Sequence, residues 1–130
     1  MNMLLWVLQV LFGIYFIGVG VIHFVVPIGS IGLPAAMGWM YDLSTGLHIF
    51  SGTAEILGGL GLILPGITKI QTRLTSLAGA GLALLMIGAI VWHLQRGEFK
   101  TIGLNLVLVA AAAFIAYGRW KLHPQPSRNE

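Results

Sequence analysis

Residues 45–64, TGLHIFSGTAEILGGLGLIL, decide the fold, because they form an apolar stretch of membrane-spanning length that contains one acidic side chain, Glu55. A helix rises about 1.5 Å per residue, so these residues span about 30 Å, the thickness of the hydrocarbon layer of a bilayer. Glu55 would then lie near the middle of the membrane. A carboxyl group there is expected to be neutral, paired or hydrated, because a charge at the centre of a spanning helix costs about 2.5–3.5 kcal/mol.

The composition of the whole chain is that of an integral membrane protein. Of its 130 residues, 57% are hydrophobic and 8% are charged, and the mean hydropathy is +0.90, whereas about a quarter of the residues in soluble domains are charged. The stretches apolar enough to span a bilayer are residues 3–26, 45–64, 74–94 and 101–118. The sequence therefore predicts an all-α fold, an antiparallel four-helix membrane bundle over residues 1–118, with a polar cytoplasmic tail at residues 119–130.

Basic residues in the short connections predict the orientation of this bundle. With four helices of alternating direction, the side that holds the N-terminus carries Lys69, Arg73, Arg119, Lys121 and Arg128, and the opposite side carries Arg96 and Lys100. By the positive-inside rule both termini face the cytoplasm. The net charge of +3 comes from these loop ends and the tail. No basic stripe is present, so nucleic acid is not an expected partner.

Proline and glycine mark the predicted ends of the first two helices. Pro27 stops the first helix because it lacks an amide hydrogen, and Pro65-Gly66 ends the second. In the first helix, glycines are expected to allow close contact with a neighbouring helix. They are Gly13, Gly18 and Gly20.

The segment between these helices, residues 27–44, is too rich in glycine and proline for a spanning helix and too apolar for an aqueous loop. We expect it to lie in the membrane interface, with Trp39 in the aromatic belt. A solvated loop is the alternative. Asp42 or Ser44 is expected to cap the second helix.

Polar residues from all four helices are expected at one end of the bundle. His23 ends the first helix, His93 ends the third and Asn105 follows the start of the fourth, while His48 and Glu55 share one face of the second. We therefore predict that these five residues line one cavity, open toward the outer leaflet. Glu55 is expected to exchange protons there with a bound hydroxylated or quinone-like head group. The alternatives are a bound lipid head group without chemistry, and a Glu55 that only holds helices together.

A metal site is not the primary expectation. His48 and Glu55 lie about 10.5 Å apart along the helix axis, too far to share one metal whose ligands lie at about 2.0–2.2 Å. His23, His48 and His93 remain as an alternative metal or haem site, although no CxxCH or HExxH spacing supports it. The sequence has no cysteines, which excludes disulfides and thiol redox chemistry.

Three short motifs occur along the chain: Ala54-Glu55 followed by Gly58-Gly59, Pro65-Gly66 followed by Thr72-Arg73, and His93 followed by Gly97 and Phe99. Together they resemble the DoxX-like family of membrane proteins, over roughly residues 11–106. The resemblance implies a small four-helix bundle of the bacterial cytoplasmic membrane. Some relatives are subunits associated with thiosulfate:quinone oxidoreductase or terminal quinol oxidase. The resemblance highlights Glu55 and His93 among the polar residues.

The resemblance and the polar cavity together predict a subunit or accessory protein of a membrane redox system that handles a quinone or a lipid. A complete quinone oxidoreductase also needs an electron-donor site, for which the chain has no nucleotide-binding motif. The expected partners are the bilayer, a quinone or lipid, and a redox protein or a second copy of this chain. More distant eukaryotic proteins with cargo-receptor or chaperone roles also resemble this fold. They provide the alternative, a scaffold that recognises partner helices through glycine-rich faces.

Overall fold

The protein is described here by a computed structural model that covers residues 1–26, 32 and 35–127. Its helices are α1 (Asn2–Val25), α2 (Thr45–Thr68), α3 (Arg73–Arg96) and α4 (Phe99–Tyr117). A short 3₁₀ helix, Ala35–Asp42, precedes α2 and is called the cap segment below. A π-helical turn, Gly118–Leu122, follows α4. The described residues contain no β-strand.

The described residues contain four apolar helices of 24 residues each, counting the π-helical turn with α4, and each is long enough to cross a bilayer. At about 1.5 Å per residue each is about 36 Å long, slightly more than the hydrocarbon thickness of about 30 Å. Large apolar side chains such as Leu77 and Leu84 are exposed on the outside of the bundle, where they meet lipid. The prediction of an all-α, four-helix membrane bundle is confirmed.

Glycines bring α1 and α2 into close contact, as the sequence predicted for Gly13 and Gly20. A β-carbon on Gly59 would lie 2.6 Å from the carbonyl oxygen of Gly13, and one on Gly52 would lie 2.9 Å from that of Gly20. Both distances are shorter than any ordinary contact, so the two helices approach each other only because these positions have no side chain. Gly18, also predicted at a contact, faces open space instead.

The second helix does not end at Pro65-Gly66, which corrects the sequence prediction. It continues to Thr68, and Lys69 closes it in the left-handed conformation with φ 58°. Proline is tolerated inside a membrane helix when neighbouring groups compensate the backbone. Pro65 leaves the carbonyl oxygen of Gly61 without its helical partner, and the adjacent Leu62 carbonyl oxygen accepts a hydrogen bond of 2.8 Å from Gln9 Nε2 of α1. The other predicted helix ends agree with the structure to within two residues, but the role of Pro27 lies outside the described residues.

The chain after Gly118 is not simply a polar tail. The helix continues as the π-helical turn, and Arg119 is 5% exposed. Its Nε donates a hydrogen bond of 2.6 Å to Gln9 Oε1, and one terminal nitrogen donates to Asn2 Oδ1 at 2.7 Å. These bonds satisfy the buried guanidinium and hold the end of α4 against the start of α1. The end of the predicted tail, residues 128–130, lies outside the described residues.

A break in packing between α2 and α3 makes room for a cavity. Near the Thr68 end of α2 the two helices are in contact, since a β-carbon on Gly58 would touch Leu82 and one on Gly61 would touch Ala78. Nearer the other end of the bundle, Gly88 of α3 lines the cavity, and a β-carbon there would have no neighbour within 4 Å. The two helices therefore separate toward the end that holds His48 and His93.

Candidate functional site: a polar cavity in the bundle

A cavity of about 530 Å³ lies within the bundle, lined by residues from all four helices and the cap segment. Most of its wall is apolar. Its polar lining residues are Tyr15, His23, Ser51, Glu55, His93 and Asn105. On the side of the cavity toward Thr68, buried Leu62, Leu82 and Ile115 fill the bundle. The cavity therefore lies in one half of the bundle, with a few polar groups on an apolar wall, as is typical of small-molecule sites.

Four of the five residues proposed from the sequence line this cavity, and His48 does not. His48 lies behind His23, and the two rings face each other with their Nδ1 atoms 2.9 Å apart. The Nε2 atom of His48 lies 2.8 Å from the carbonyl oxygen of Met40 in the cap segment. The structure thus places His48 as a support for His23 rather than on the cavity wall.

The partners of His48 assign the hydrogens of both rings. A carbonyl oxygen only accepts, so His48 Nε2 carries a hydrogen and donates it to Met40. The Nδ1 atom of a neutral His48 then accepts, and His23 Nδ1 donates to it. The remaining ring nitrogen of His23, Nε2, is the one that faces Glu55.

Glu55 is 4% exposed and lines the cavity near the middle of α2. Its Oε2 lies 3.5 Å from His23 Nε2, close enough for an ion pair but too long for a strong hydrogen bond. That oxygen has no hydrogen-bond partner among the described residues. One proton can reside on either side of this gap, giving a neutral acid beside a neutral imidazole or a carboxylate beside an imidazolium.

Asn105 contributes a second buried polar group without a partner. The residue is 6% exposed on the wall formed by α4. Its Nδ2 donates no hydrogen bond within the part of the chain that the structure describes. Burying an amide without a hydrogen bond is unfavourable by about 1–3 kcal/mol, so a donor at this position favours an acceptor inside the cavity.

His93 connects the cavity wall to a charged cluster in the connection between α3 and α4. Its Nδ1 lies 3.0 Å from Glu98 Oε1, which also accepts a bond of 2.8 Å from Arg96 Nε. The hydrogen bond from the Arg96 guanidinium holds the pKa of the Glu98 carboxyl below its usual 4.5, and burial only partly opposes this shift. Glu98 is therefore a carboxylate at neutral pH, so His93 Nδ1 donates to it. His93 Nε2 remains for a ligand.

The cap segment closes the end of the cavity with Trp39. This ring meets His93 edge-on, with 4.9 Å between centroids, and lies 6.2 Å from His23. Asp42, in the same segment, accepts a bond of 2.6 Å from Arg96 of α3. The sequence analysis placed Trp39 in the aromatic belt, but the side chain lines the cavity. Ser44 provides the cap of α2, because its Oγ accepts from Leu47 N at 3.2 Å.

The alternative of a three-histidine metal or haem site does not fit this geometry. Both ring nitrogens of His48 already have partners, and Trp39 contacts the rings of both His23 and His93. Within residues 1–26, 32 and 35–127, no three His, Cys, Asp or Glu side chains are arranged to hold a metal ion. A metal on His48 would have to break the bonds that orient His23.

Several residues of the cavity wall were not predicted from the sequence. Tyr15 and Ser51 carry a signal that could have identified them, because Tyr15 lies eight residues before His23 and Ser51 lies between His48 and Glu55 on one helical face. Trp92 and Trp39 carry no such signal. Their position depends on how the cap segment folds over the end of α3.

The fold and the cavity together define a class, the multi-pass membrane proteins built as four-helix bundles, here with a mostly apolar cavity that carries a few polar groups in one half. The chain matches the family model for the DoxX-like family over residues 7–115. The protein belongs to the DoxX-like family. Neither the curated proteins nor the solved structures with which the chain was compared gave a match.

Proposed function

We propose that this DoxX-like protein binds the head group of a membrane-soluble small molecule in its cavity, as a subunit or accessory protein of a membrane redox system. The observation that carries the proposal is a pair of buried atoms, on two residues that line the same cavity, with no hydrogen-bond partner among the described residues. They are Glu55 Oε2 and Asn105 Nδ2. A carboxyl oxygen and an amide donor together suit a ligand that offers both a hydroxyl group and a carbonyl oxygen.

The charge of the wall favours an uncharged, quinone-like head group over a phospholipid head group. Among the described residues that line the cavity there is no lysine or arginine, so a phosphate would face Glu55 without a compensating positive charge. Aromatic rings from Tyr15, Trp39 and Trp92 also line the space. These rings suit a flat, oxygenated ring better than a flexible polar chain.

The distance of 3.5 Å between Glu55 Oε2 and His23 Nε2 supports a role for the pair in proton exchange. A hydroxyl group of the ligand can donate a hydrogen bond to the carboxylate form of Glu55 or accept one from the acid form. His48 bonds to both His23 and Met40. These bonds keep His23 in the tautomer with the hydrogen on Nδ1, so that its Nε2 faces Glu55. Reduction of a quinone-like ligand also needs an electron donor, and the sequence has no cysteines to serve as one, so a partner protein supplies the electrons.

We propose the bacterial cytoplasmic membrane as the location, with both termini cytoplasmic and the cavity in the outer half of the bilayer. Support comes from the family and from exposed basic residues at the end of the bundle remote from the cavity. They are Lys69, Arg73 and Lys121.

Fluorescence titration of the protein in lipid nanodiscs tests the proposed ligand site. Trp39 and Trp92 line the cavity, so a benzoquinone with a decyl tail should quench their emission when it binds. We expect Glu55→Gln and Asn105→Leu to fold and to weaken binding by about tenfold or more, the equivalent of one lost hydrogen bond in a buried site. Lipid extraction and mass spectrometry of the purified wild type should recover a quinone.

Thr75→Val is the matched control. Thr75 Oγ1 is also buried and without a hydrogen-bond partner among the described residues, but Thr75 does not line the cavity. This variant should bind the benzoquinone as the wild type does. A wild type that does not bind, or equal binding by all three variants, would exclude the cavity as a quinone site. A colourless protein that copurifies with a stoichiometric partner and no lipid-soluble ligand would favour the scaffold alternative.

A further inference from the structure

We propose that the cavity has a lateral opening to the bilayer between α2 and α3, and that this opening holds the apolar tail of the ligand. The inference rests on the proposed function, since it concerns the same ligand. To the proposed head-group site, the opening adds a route by which the ligand enters, a requirement that the ligand has an apolar tail, and the residues that contact this tail. The residues that carry it are Gly81 and Gly88 of α3, with Phe50 of α2 and Leu84 of α3 at the edge.

Exposure of the lining residues locates the opening. Phe50 is 63% exposed and Leu84 is 70% exposed, although both line the cavity. A side chain that lines a cavity and is also largely exposed lies where that cavity meets the outside. These two residues lie on α2 and α3, the helices that separate in this half of the bundle.

The glycines of α3 keep this opening clear. A β-carbon at Gly81 or at Gly88 would meet no atom within 4 Å, whereas β-carbons at Gly58 and Gly61 of α2 would meet α3 side chains at 2.6 and 2.7 Å. Glycine at a helix contact is explained by close packing. Packing explains neither Gly81 nor Gly88. Their seven-residue separation places them on one face, about 10.5 Å apart along the axis.

The depth of the opening determines what can pass through it. Gly88 lies eight residues before the end of α3 at Arg96, or about 12 Å from it, and Gly81 lies about 22 Å from it. Glu55 lies about 15 Å from the first residue of α2 at the same end of the bundle. The opening thus lies at the level of Glu55, inside a hydrocarbon layer of about 30 Å. Its surroundings are acyl chains, so the group that occupies it is apolar.

Head group and tail together specify one class of ligand, an uncharged amphiphile with a single apolar tail. Its oxygenated head reaches the unpartnered Glu55 and Asn105 atoms, and its tail leaves between Phe50 and Leu84. A phospholipid carries a phosphate, which does not suit a cavity lined by Glu55 and, among the described residues, by no lysine or arginine.

Leucine substitutions at the two glycines test the opening directly. Because nothing lies within 4 Å of a β-carbon at either position, Gly81→Leu and Gly88→Leu should fold and place their side chains in the gap. Two probes are titrated into nanodiscs, a benzoquinone with a decyl tail and the same head group without a tail. We expect each substitution to weaken binding of the tailed probe by about tenfold or more and to leave binding of the tail-less probe unchanged.

Gly18→Leu is the matched control, because a β-carbon at Gly18 also meets nothing within 4 Å but Gly18 does not line the cavity. It should bind both probes as the wild type does. If the tailed probe binds Gly81→Leu and Gly88→Leu with wild-type affinity, or if both probes are weakened equally, the opening between α2 and α3 is overturned while the head-group site stands. If the wild type binds neither probe, the proposed function itself fails.

Discussion

The contact between His93 and Glu98 links a residue of the cavity wall to the connection at the end of the bundle, and its strength should depend on pH. The Glu98 carboxylate accepts hydrogen bonds from His93 and Arg96, and the Arg96 contact holds its pKa in the folded protein below the usual 4.5. When folding lowers the pKa of an acid, the folded state is stabilised at every pH above the pKa that the acid has in the unfolded chain. This contribution is lost as the pH falls through the pKa that the acid has in the folded protein. The contact is therefore intact at neutral pH and is lost below about pH 4.5.

Melting temperatures in detergent at neutral and acidic pH measure this contribution. Glu98→Gln should melt below the wild type at neutral pH, and the difference should shrink in acid. Arg96→Gln should move the acid transition upward, because the pKa of Glu98 then returns toward its usual value. A constant difference between Glu98→Gln and wild type at every pH would show that the Glu98 charge contributes nothing.

At the scale of helices, the contact between α1 and α2 depends on glycine at specific positions. A β-carbon on Gly59 would lie 2.6 Å from the Gly13 carbonyl oxygen and 3.1 Å from the Ile17 backbone nitrogen, and backbone atoms cannot move aside as side chains do. We expect Gly59→Ala to destabilise the protein by roughly 1–3 kcal/mol through overpacking. Gly18→Ala, on α1 but facing open space, should not lower stability, because alanine favours a helix more than glycine does. Thermal unfolding of both variants in the same detergent decides the point, and equal melting temperatures would contradict the close contact.

The helices themselves were predictable because hydropathy and length depend on the local sequence alone, and antiparallel connectivity then brings His23, His93 and Asn105 to one end. Features that depend on contacts between distant residues were not predictable. The helix continues through Pro65 where Gln9, far away in the chain, binds the Leu62 carbonyl. Likewise, Arg119 is buried because Gln9 and Asn2 accept its hydrogen bonds. No local pattern around either residue reports these partners.

The cavity shows the same division between local and distant information. Glu55 was identifiable from a single observation, a carboxyl group inside an apolar stretch, because its cost in the membrane depends only on the surrounding sequence. Trp39 was not identifiable, since an aromatic residue near a membrane interface fits the aromatic belt equally well. Its contacts with His93 and Trp92 arise from the folding of the cap segment onto α3.

For the whole molecule, the distribution of charge favours one orientation in the membrane. At the cavity end, Arg96 is bound to both Asp42 and Glu98. At the other end, exposed Lys69, Arg73 and Lys121 remain near the connection between α2 and α3 and the end of α4. Basic residues near helix ends are retained on the cytoplasmic side, so we expect the cavity end to face outward.

Reporter fusions measure this orientation. Alkaline phosphatase, which is active only outside the cytoplasm, should be active when fused in the connection after Gly97 and inactive when fused after Lys69. Green fluorescent protein should show the opposite pattern, because it fluoresces only when it folds in the cytoplasm. Lys69→Gln combined with Arg73→Gln should reduce this asymmetry, because it removes two of the basic residues that keep this connection on the cytoplasmic side. Phosphatase activity after Lys69 in the unmodified chain would place the cavity in the cytoplasmic half, and its proton exchange would then take place with the cytoplasm.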